Sequence, residues 1–267
     1  MKRSIQDTRI VFVGSGNLAT NLAKAFYHQG FRILQIYSRT IDHARLLAEK
    51  VEAEYTDSLD ELTTDGEIYF VSLTDSAFVN LVPQIVKGRE GKLFVHTAGS
   101  VPLDIWKDHT DRYGVLYPMQ TFSKQVEVNF SSIPIFVEAN SLEDFELLEA
   151  IAKTLSTKVY AATSKQRKIL HLAAVFTCNF SNHMYALAAD LLARNDLPFD
   201  VMLPLIDETA RKVHELPPSL TQTGPAVRND ENVMNAHLEM LDDEPEMKEL
   251  YEKISHSITN SQNEKKE

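Results

Sequence analysis

The 267-residue sequence holds a single cysteine, Cys178, so no disulfide can close within the chain, and no cysteine spacing suits a structural zinc. A reducing compartment is the expectation. Basic residues are also scarce: 27 Lys and Arg stand against 38 Asp and Glu, a formal charge of −11. That excludes a general affinity for nucleic acid or an anionic membrane, although a local basic site for a small phosphate stays open. No apolar run approaches the ~18 residues of a membrane span, and the apolar run in the opening "MKRSIQDTRIVFVG" is too short for a secretory signal. The expectation is a cytoplasmic protein with no membrane or nucleic-acid partner. Internal repeats are absent too.

What is present is alternation. Strand-like runs stand at "RIVFV", "RILQIYS", "EIYFVSL", "KLFVH", "GVLYP", "IPIFVEA" and "TKVYAA", with helical stretches near 17–29, 41–50, 76–87 and 142–155. Continuous apolar strands alternating with helices predict an α/β fold, a doubly wound Rossmann sheet. After about residue 162 the strands stop. Four helical stretches follow: "SKQRKILHLAAVFTCNFSNHMYALAADLLARN", "FDVMLPLIDETARKVHE", "NDENVMNAHLEML" and "EPEMKELYEKISHSI". The expected division is a nucleotide-binding domain over 1–161 and an all-helical C-terminal domain over 162–267, with a polar tail that frays after about 258.

The first strand runs into Gly14-Ser15-Gly16-Asn17-Leu18-Ala19 and then a helix, the context that a dinucleotide fingerprint requires. Gly14 allows the tight turn, Gly16 admits the pyrophosphate to the backbone, and Ala19 still permits close helix–strand packing. The first-turn amides then face the phosphates at the positive helix end.

One further absence decides the cofactor. NAD-binding chains place a carboxylate at the end of the second strand for the ribose hydroxyls, and here that place reads Ser38-Arg39-Thr40. A carboxylate would repel a 2′-phosphate, whereas Ser38 and Thr40 offer hydroxyls and Arg39 a planar fork. The expected cofactor is NADP. The competing reading makes Arg39 a solvated loop arginine.

The glycine turn and the Ser-Arg-Thr strand end resemble those of pyrroline-carboxylate reductases and deazaflavin-dependent NADP oxidoreductases. "HTAGS" (His96–Ser100), "LYPMQTFS" (Leu116–Ser123), "HLAAVFTCNF" (His171–Phe180) and "TGPAVRND" (Thr223–Asp230) narrow the likeness. Together they resemble a bacterial family with a Rossmann-like half and a helical half of unknown function, covering nearly the whole chain. The resemblance implies kinship with the 6-phosphogluconate and hydroxyacid dehydrogenases, whose helical halves often form the dimer and close the active cleft. A homodimer through residues beyond about 162 is therefore expected.

Ligands of open α/β sheets bind beyond the carboxyl strand ends. Ser72, Leu73, Thr74 and Asp75 stand at one such end, His96 and Thr97 at another, and Tyr117–Thr121 at a third. Leu73, Thr74 and Asp75 are cofactor candidates, though Asp75 or Ser76 could instead cap the next helix. His96 is a candidate proton donor or a satisfied structural histidine. From Leu170 to Phe180 the chain is apolar nearly all round, as for a buried helix. At 100° per residue Lys168, His171, Val175, Cys178, Asn179 and Asn182 form one stripe, which fits a wet cleft or a helical dimer interface. A histidine titrates near neutrality, so His171 is the candidate acid or base and Asn179 the candidate orienting group. In hydroxyacid dehydrogenases a Lys and an Asn four residues later serve on the corresponding helix. Asn179 follows His171 by eight, so that pattern is not reproduced.

Arg228 could meet a substrate carboxylate or stand exposed, Asn229 or Asp230 could cap the next helix, and no histidine has defensible metal-ligand spacing. The expected activity is NADP-dependent hydride transfer to or from a small carbonyl, imine or alcohol. The alternative is a non-catalytic NADP-binding regulatory or sensor dimer.

Overall fold

A computed structural model describes residues 4–263. The chain forms two compact units, Met1–Asn179 and Phe180–Glu267. The strand pattern ends earlier, at 161/162, because the helix that follows the last strand belongs to the first unit.

In chain order the first unit comprises β1 (Arg9–Val13), α1 (Asn17–His28), β2 (Arg32–Tyr37), α2 (Ile41–Ala48), β3 (Glu54–Thr56), β4 (Ile68–Val71), α3 (Asp75–Val86) and β5 (Leu93–His96). It continues with β6 (Tyr113–Pro118), β7 (Ile135–Ala139), α4 (Leu142–Leu155), β8 (Val159–Ala161) and α5 (Ser164–Ala174). One eight-stranded sheet results, in the order β3-β2-β1-β4-β5-β6-β7-β8. All pairings are parallel except β6 with β7. This is the expected doubly wound architecture, with the strand order reversing between β1 and β4. At that reversal the loops leave in opposite directions and open a crevice.

Side-chain alternation divides the core. Ile10, Phe12, Ile68, Phe70, Val95 and Leu116 pack on one face with Leu22 and Phe26 of α1 and Leu148 and Ile151 of α4. Val11, Val13, Tyr69, Val71 and Phe94 pack on the other with Phe78, Val82 and Ile85 of α3 and with Trp106. Strands β4, β5 and β6 are buried at every position, so their sequences read as unbroken apolar runs. Strand β3 was not among the expected strands. It has three residues at the sheet edge, two of them exposed, and so carries no apolar signature.

The start of α5 is fixed by a capping box. Thr163 Oγ1 accepts from Gln166 N, and Gln166 Oε1 accepts from Thr163 N at 2.9 Å. Residues Val175–Phe180 then form a π-helical turn. The uniform 100° stripe needs correction here, because a π turn shifts the facing of every residue after it. Nor is the segment buried as its composition suggests: Ile169, Leu172, Phe176 and Phe180 are exposed on the single chain.

The second unit contains α6 (Ser181–Ala193), α7 (Leu203–Glu215), two single turns α8 (Pro218–Thr221) and α9 (Pro225–Arg228), α10 (Glu231–Met240) and α11 (Pro245–Asn263). Asn229 is left-handed at φ 53°, and the Asp230 carboxylate caps α10 by accepting from Val233 N. Helix α11 runs past the expected end of order near 258. The Thr259 hydroxyl ties it down by donating to the Ala226 carbonyl at 3.0 Å. The rest of the expected tail, 264–267, lies outside the described residues. No helix among the described residues is long and apolar enough to cross a membrane.

Candidate active site

The glycine turn is locked to its neighbours from both sides. Gly14 has φ +117°, and a Cβ there would lie 2.2 Å from the Ser72 carbonyl oxygen. Its N–H donates to Tyr37 O at 2.8 Å. Only glycine fits. Gly16 is different: a Cβ there would meet nothing within 4 Å. The fold therefore gives no internal reason for that glycine, while close approach of a phosphate does. Gly16 precedes α1, whose first amides have no acceptor within the helix. These amides and the positive helix end are the features that suit a pyrophosphate.

Ser15 joins this turn to the end of β2, its hydroxyl donating to Ser38 Oγ at 2.8 Å inside the fold. Arg39 and Thr40 follow, both exposed. The chain thus offers a guanidinium one residue beyond a fixed serine, as a 2′-phosphate requires. If Arg39 holds the 2′-phosphate, its replacement by alanine removes a charge-assisted contact of about 1.5–3 kcal/mol. The expected result is a roughly ten- to hundredfold loss of NADPH affinity by calorimetry, with NADH affinity little changed. An equal loss for both cofactors would place Arg39 outside the phosphate site.

Past the carboxyl strand ends lies a cavity of about 830 Å³. Its walls include Gly16, Asn17 and Leu18, then Ser72, Leu73 and Thr74 after β4, Thr97–Ser100 after β5 and Tyr117–Thr121 from the end of β6. The far wall is helical: Leu170, His171, Ala174, Thr177, Cys178 and Asn179. Ser72 and Thr97 are linked by a 2.6 Å hydroxyl–hydroxyl hydrogen bond. The 119–123 segment is held by Asn21, whose amide donates to the Ser123 carbonyl at 3.0 Å. Asp75 begins α3, and its side chain lies outside the described part of the structure. The structure thus brings His171 and Asn179 onto one cavity with the glycine turn, whereas Lys168 and Val175 of the stripe do not line it.

His96 does not join them. It is fully buried, its ring edge-on to Phe78 at 5.7 Å, and its Nδ1 accepts from Ala98 N at 3.3 Å. Burial drives its pKa down to about 3, the Arg167 charge pushes the same way, and the Pro102 carbonyl opposes them. A neutral, enclosed imidazole cannot exchange protons with a substrate, so the structural reading of His96 replaces the catalytic one. The depressed value has a consequence for stability. Unfolded, this ring binds a proton below about 6.5, and folded it does not until about 3. Its contribution is complete above about 6.5 and is lost as pH falls, at up to about 1.4 kcal/mol per pH unit. Between pH 6.5 and 5, wild type should lose about 2 kcal/mol more than His96→Phe in urea unfolding. Parallel pH profiles would contradict this.

The sequence marks Tyr117 only as a strand-end residue and Gly99 only within "HTAGS", and it does not single out Arg167. Tyr117 OH lies 3.4 Å from His171 Nδ1, and both rings rest on Gly99. A Cβ at Gly99 would lie 2.9 Å from His171 Cβ and from Tyr117 Cζ. Arg167, one helical turn before His171, is completely buried. Its neighbours are all distant in sequence or hidden in a polar helix start, so spacing alone could not single it out. Arg228 ends α9 as an exposed residue of the second unit.

A doubly wound sheet with a glycine turn at the strand reversal and a cavity beyond it defines a dinucleotide-dependent enzyme class. Residues 9–99 match the family described as NADP oxidoreductase, coenzyme F420-dependent, and residues 133–258 match a domain of unknown function, DUF2520. A Bacteroides fragilis protein with the provisional description NADP oxidoreductase is 64% identical over 96% of this chain and 100% of its own, with a TM-score of 0.94. The chain belongs to that family and is an NADP-dependent oxidoreductase. At 17% identity, an imine reductase from Myxococcus stipitatus in complex with NADP+ shares the fold over 96% of this chain and 93% of its own, TM-score 0.70. A pyrroline-5-carboxylate reductase from Coxiella burnetii, 16% identical, shares it over 96% and 98%, TM-score 0.58. Glutamyl-tRNA reductase of Methanococcoides burtonii is 27% identical over 106 residues, 38% of this chain and only 25% of that protein.

Proposed function

We propose that the enzyme transfers hydride between NADP(H) and a small carbonyl, imine or alcohol substrate, with His171 as the proton donor and acceptor. The observation that carries this reading is the single cavity of about 830 Å³ walled by both the glycine turn and His171. Gly14, Ser15, Gly16, Asn17 and Leu18 hold the pyrophosphate, Ser38, Arg39 and Thr40 the 2′-phosphate end, and Leu73, Thr74 and Asp75 the stretch between them and the reacting ring.

When bound, the nicotinamide supplies or takes the hydride at carbon. His171 supplies the matching proton to the substrate oxygen or nitrogen and takes it back in the reverse direction. Asn179, on the same wall, orients that atom by hydrogen bonding. The cavity wall carries no Lys, Arg, Asp or Glu among its described residues; its ionisable side chains are those of His171, Tyr117 and Cys178, and we assign the proton transfer to His171 beside Tyr117. NADPH consumption is measured against ketones and cyclic imines, and NADP+ reduction against the corresponding alcohols and amines. Turnover of any one class supports the reading. Tight NADPH binding with no turnover across all of them favours the sensor alternative.

We further assign residues 1–161 to cofactor binding and 162–267 to substrate contact and assembly, in a cytoplasmic homodimer. Leu205 and Leu220 of the second unit are exposed, and an apolar groove of about 580 Å³ is walled by Leu187, Leu191, Met240, Leu250 and Ile254. Surfaces of this kind mark association sites. Sedimentation should give twice the 30.2 kDa chain mass. A concentration-independent monomer would contradict the assignment.

A further inference from the structure

We propose that Arg167 is a positioning residue for the reaction: it fixes the Ala98–Val101 turn on which Tyr117 and His171 converge, and thereby the orientation of the His171 ring. The inference rests on the reading of His171 as proton donor.

Arg167 and His171 are four residues apart on α5 and so share a helix face. The Arg167 Nη1 donates to the Ala98 carbonyl at 2.9 Å and to the Val101 carbonyl at 3.0 Å, gripping the turn at both ends. Its Nη2 donates to Glu138 Oε2 at 2.8 Å and to Ser164 Oγ at 3.0 Å. Glu138 is itself fixed, accepting from Ser164 N and from Ser164 Oγ, each at 2.9 Å. Ser164 Oγ also accepts from Leu103 N at 2.9 Å. The guanidinium therefore has one available placement.

Stability alone does not account for this arrangement. A largely buried ion pair, such as this one of an enclosed Arg167 with a partly exposed Glu138, is often matched or bettered by well-packed apolar side chains. Here, moreover, the Arg167 Nε–H is buried with no hydrogen-bond partner among the described residues. What the arrangement does secure is the backbone of Gly99, midway along the gripped turn and in contact with both rings. Tyr117 is nearly buried, which pushes its hydroxyl pKa up against the opposing pull of Arg167 and keeps it a donor. In the proposed arrangement Tyr117 donates to His171 Nδ1, 3.4 Å away, which leaves the imidazole proton on Nε2. The turn, the tyrosine and the helix face together determine which ring nitrogen carries the transferable proton.

The test is nitrogen-15 NMR of labelled histidine in the full-length protein, with the His171 signal assigned by its loss in His171→Asn. Wild type should show the Nε2–H form. Arg167→Lys keeps the charge but loses the fork that holds two carbonyls, and should average the two tautomers while NADPH affinity stays within about threefold. Turnover of a reactive ketone or cyclic imine should fall about a hundredfold at unchanged KM for NADPH. An unaltered tautomer in folded, NADPH-binding Arg167→Lys would overturn the proposal. Should that variant not fold, Tyr117→Phe reads the same alignment: tautomer averaging supports the proposal, and a retained Nε2–H form overturns it. Because the tautomer is read without substrate, failure here is distinct from failure of the His171 reading, which appears as undiminished turnover in His171→Asn.

Discussion

Replacement of His171 by asparagine should lower turnover by ~10²–10⁴-fold, the usual worth of general acid–base catalysis, while NADPH affinity stays near that of wild type. Hydride arriving at a carbonyl or imine carbon displaces an electron pair onto oxygen or nitrogen, and that pair needs a proton. On the described cavity wall the ionisable side chains are those of His171, Tyr117 and Cys178, and burial pushes the Tyr117 hydroxyl upward. Asparagine keeps hydrogen-bonding capacity but cannot ionise, so the variant separates proton transfer from substrate orientation. Equal losses of turnover and cofactor binding would mean that His171 supports the fold of the cavity rather than its chemistry.

The second large effect distinguishes two glycines that look alike in sequence. Gly14→Ala forces an alanine to φ +117° and drives its Cβ to 2.2 Å from the Ser72 carbonyl. The strain of that backbone region is about 1–3 kcal/mol, and the clash adds to it. Thermal unfolding should move down by roughly 10 °C or more. Gly16→Ala meets no atom within 4 Å, so its midpoint should stay within about 2 °C of wild type. Its cost should appear in NADPH affinity, at about tenfold or more, because the methyl occupies the approach to the first-turn amides. A destabilised Gly16→Ala that binds NADPH normally would mean that the glycine turn is a packing device and not a phosphate cradle.

Much of this was legible before the fold was known, and the reasons are particular. Strands β4, β5 and β6 are buried on both faces, so hydrophobicity alone marked "IYFV", "LFVH" and "YGVLYP". The glycine turn was legible because its neighbours in sequence are also its neighbours in space. The misses share the opposite property. Strand β3 is an edge element of exposed residues, with nothing apolar to repeat. The π turn at Val175–Phe180 leaves no composition signal, because it is a change of hydrogen-bond register in an otherwise helical run. Arg167 sits in "SKQRKIL", a string that reads as a solvated helix start, yet its distant partners come from two other segments, the Ala98–Val101 turn and Glu138 of β7. His96 illustrates a different limit. Its place at a strand end was correctly read, but the side to which the ring turns depends on the packing of Phe78.

The central claim is that one cavity joins an NADP cradle to a histidine acid. A crystal structure of the NADP+ complex tests it most directly. The account predicts the 2′-phosphate on Arg39 and Ser38, the pyrophosphate on the amides after Gly16, and the nicotinamide ring beside Ser72 and Thr97 with C4 facing His171. A 2′-phosphate placed away from Arg39, or a nicotinamide turned from His171 and Tyr117, would contradict it.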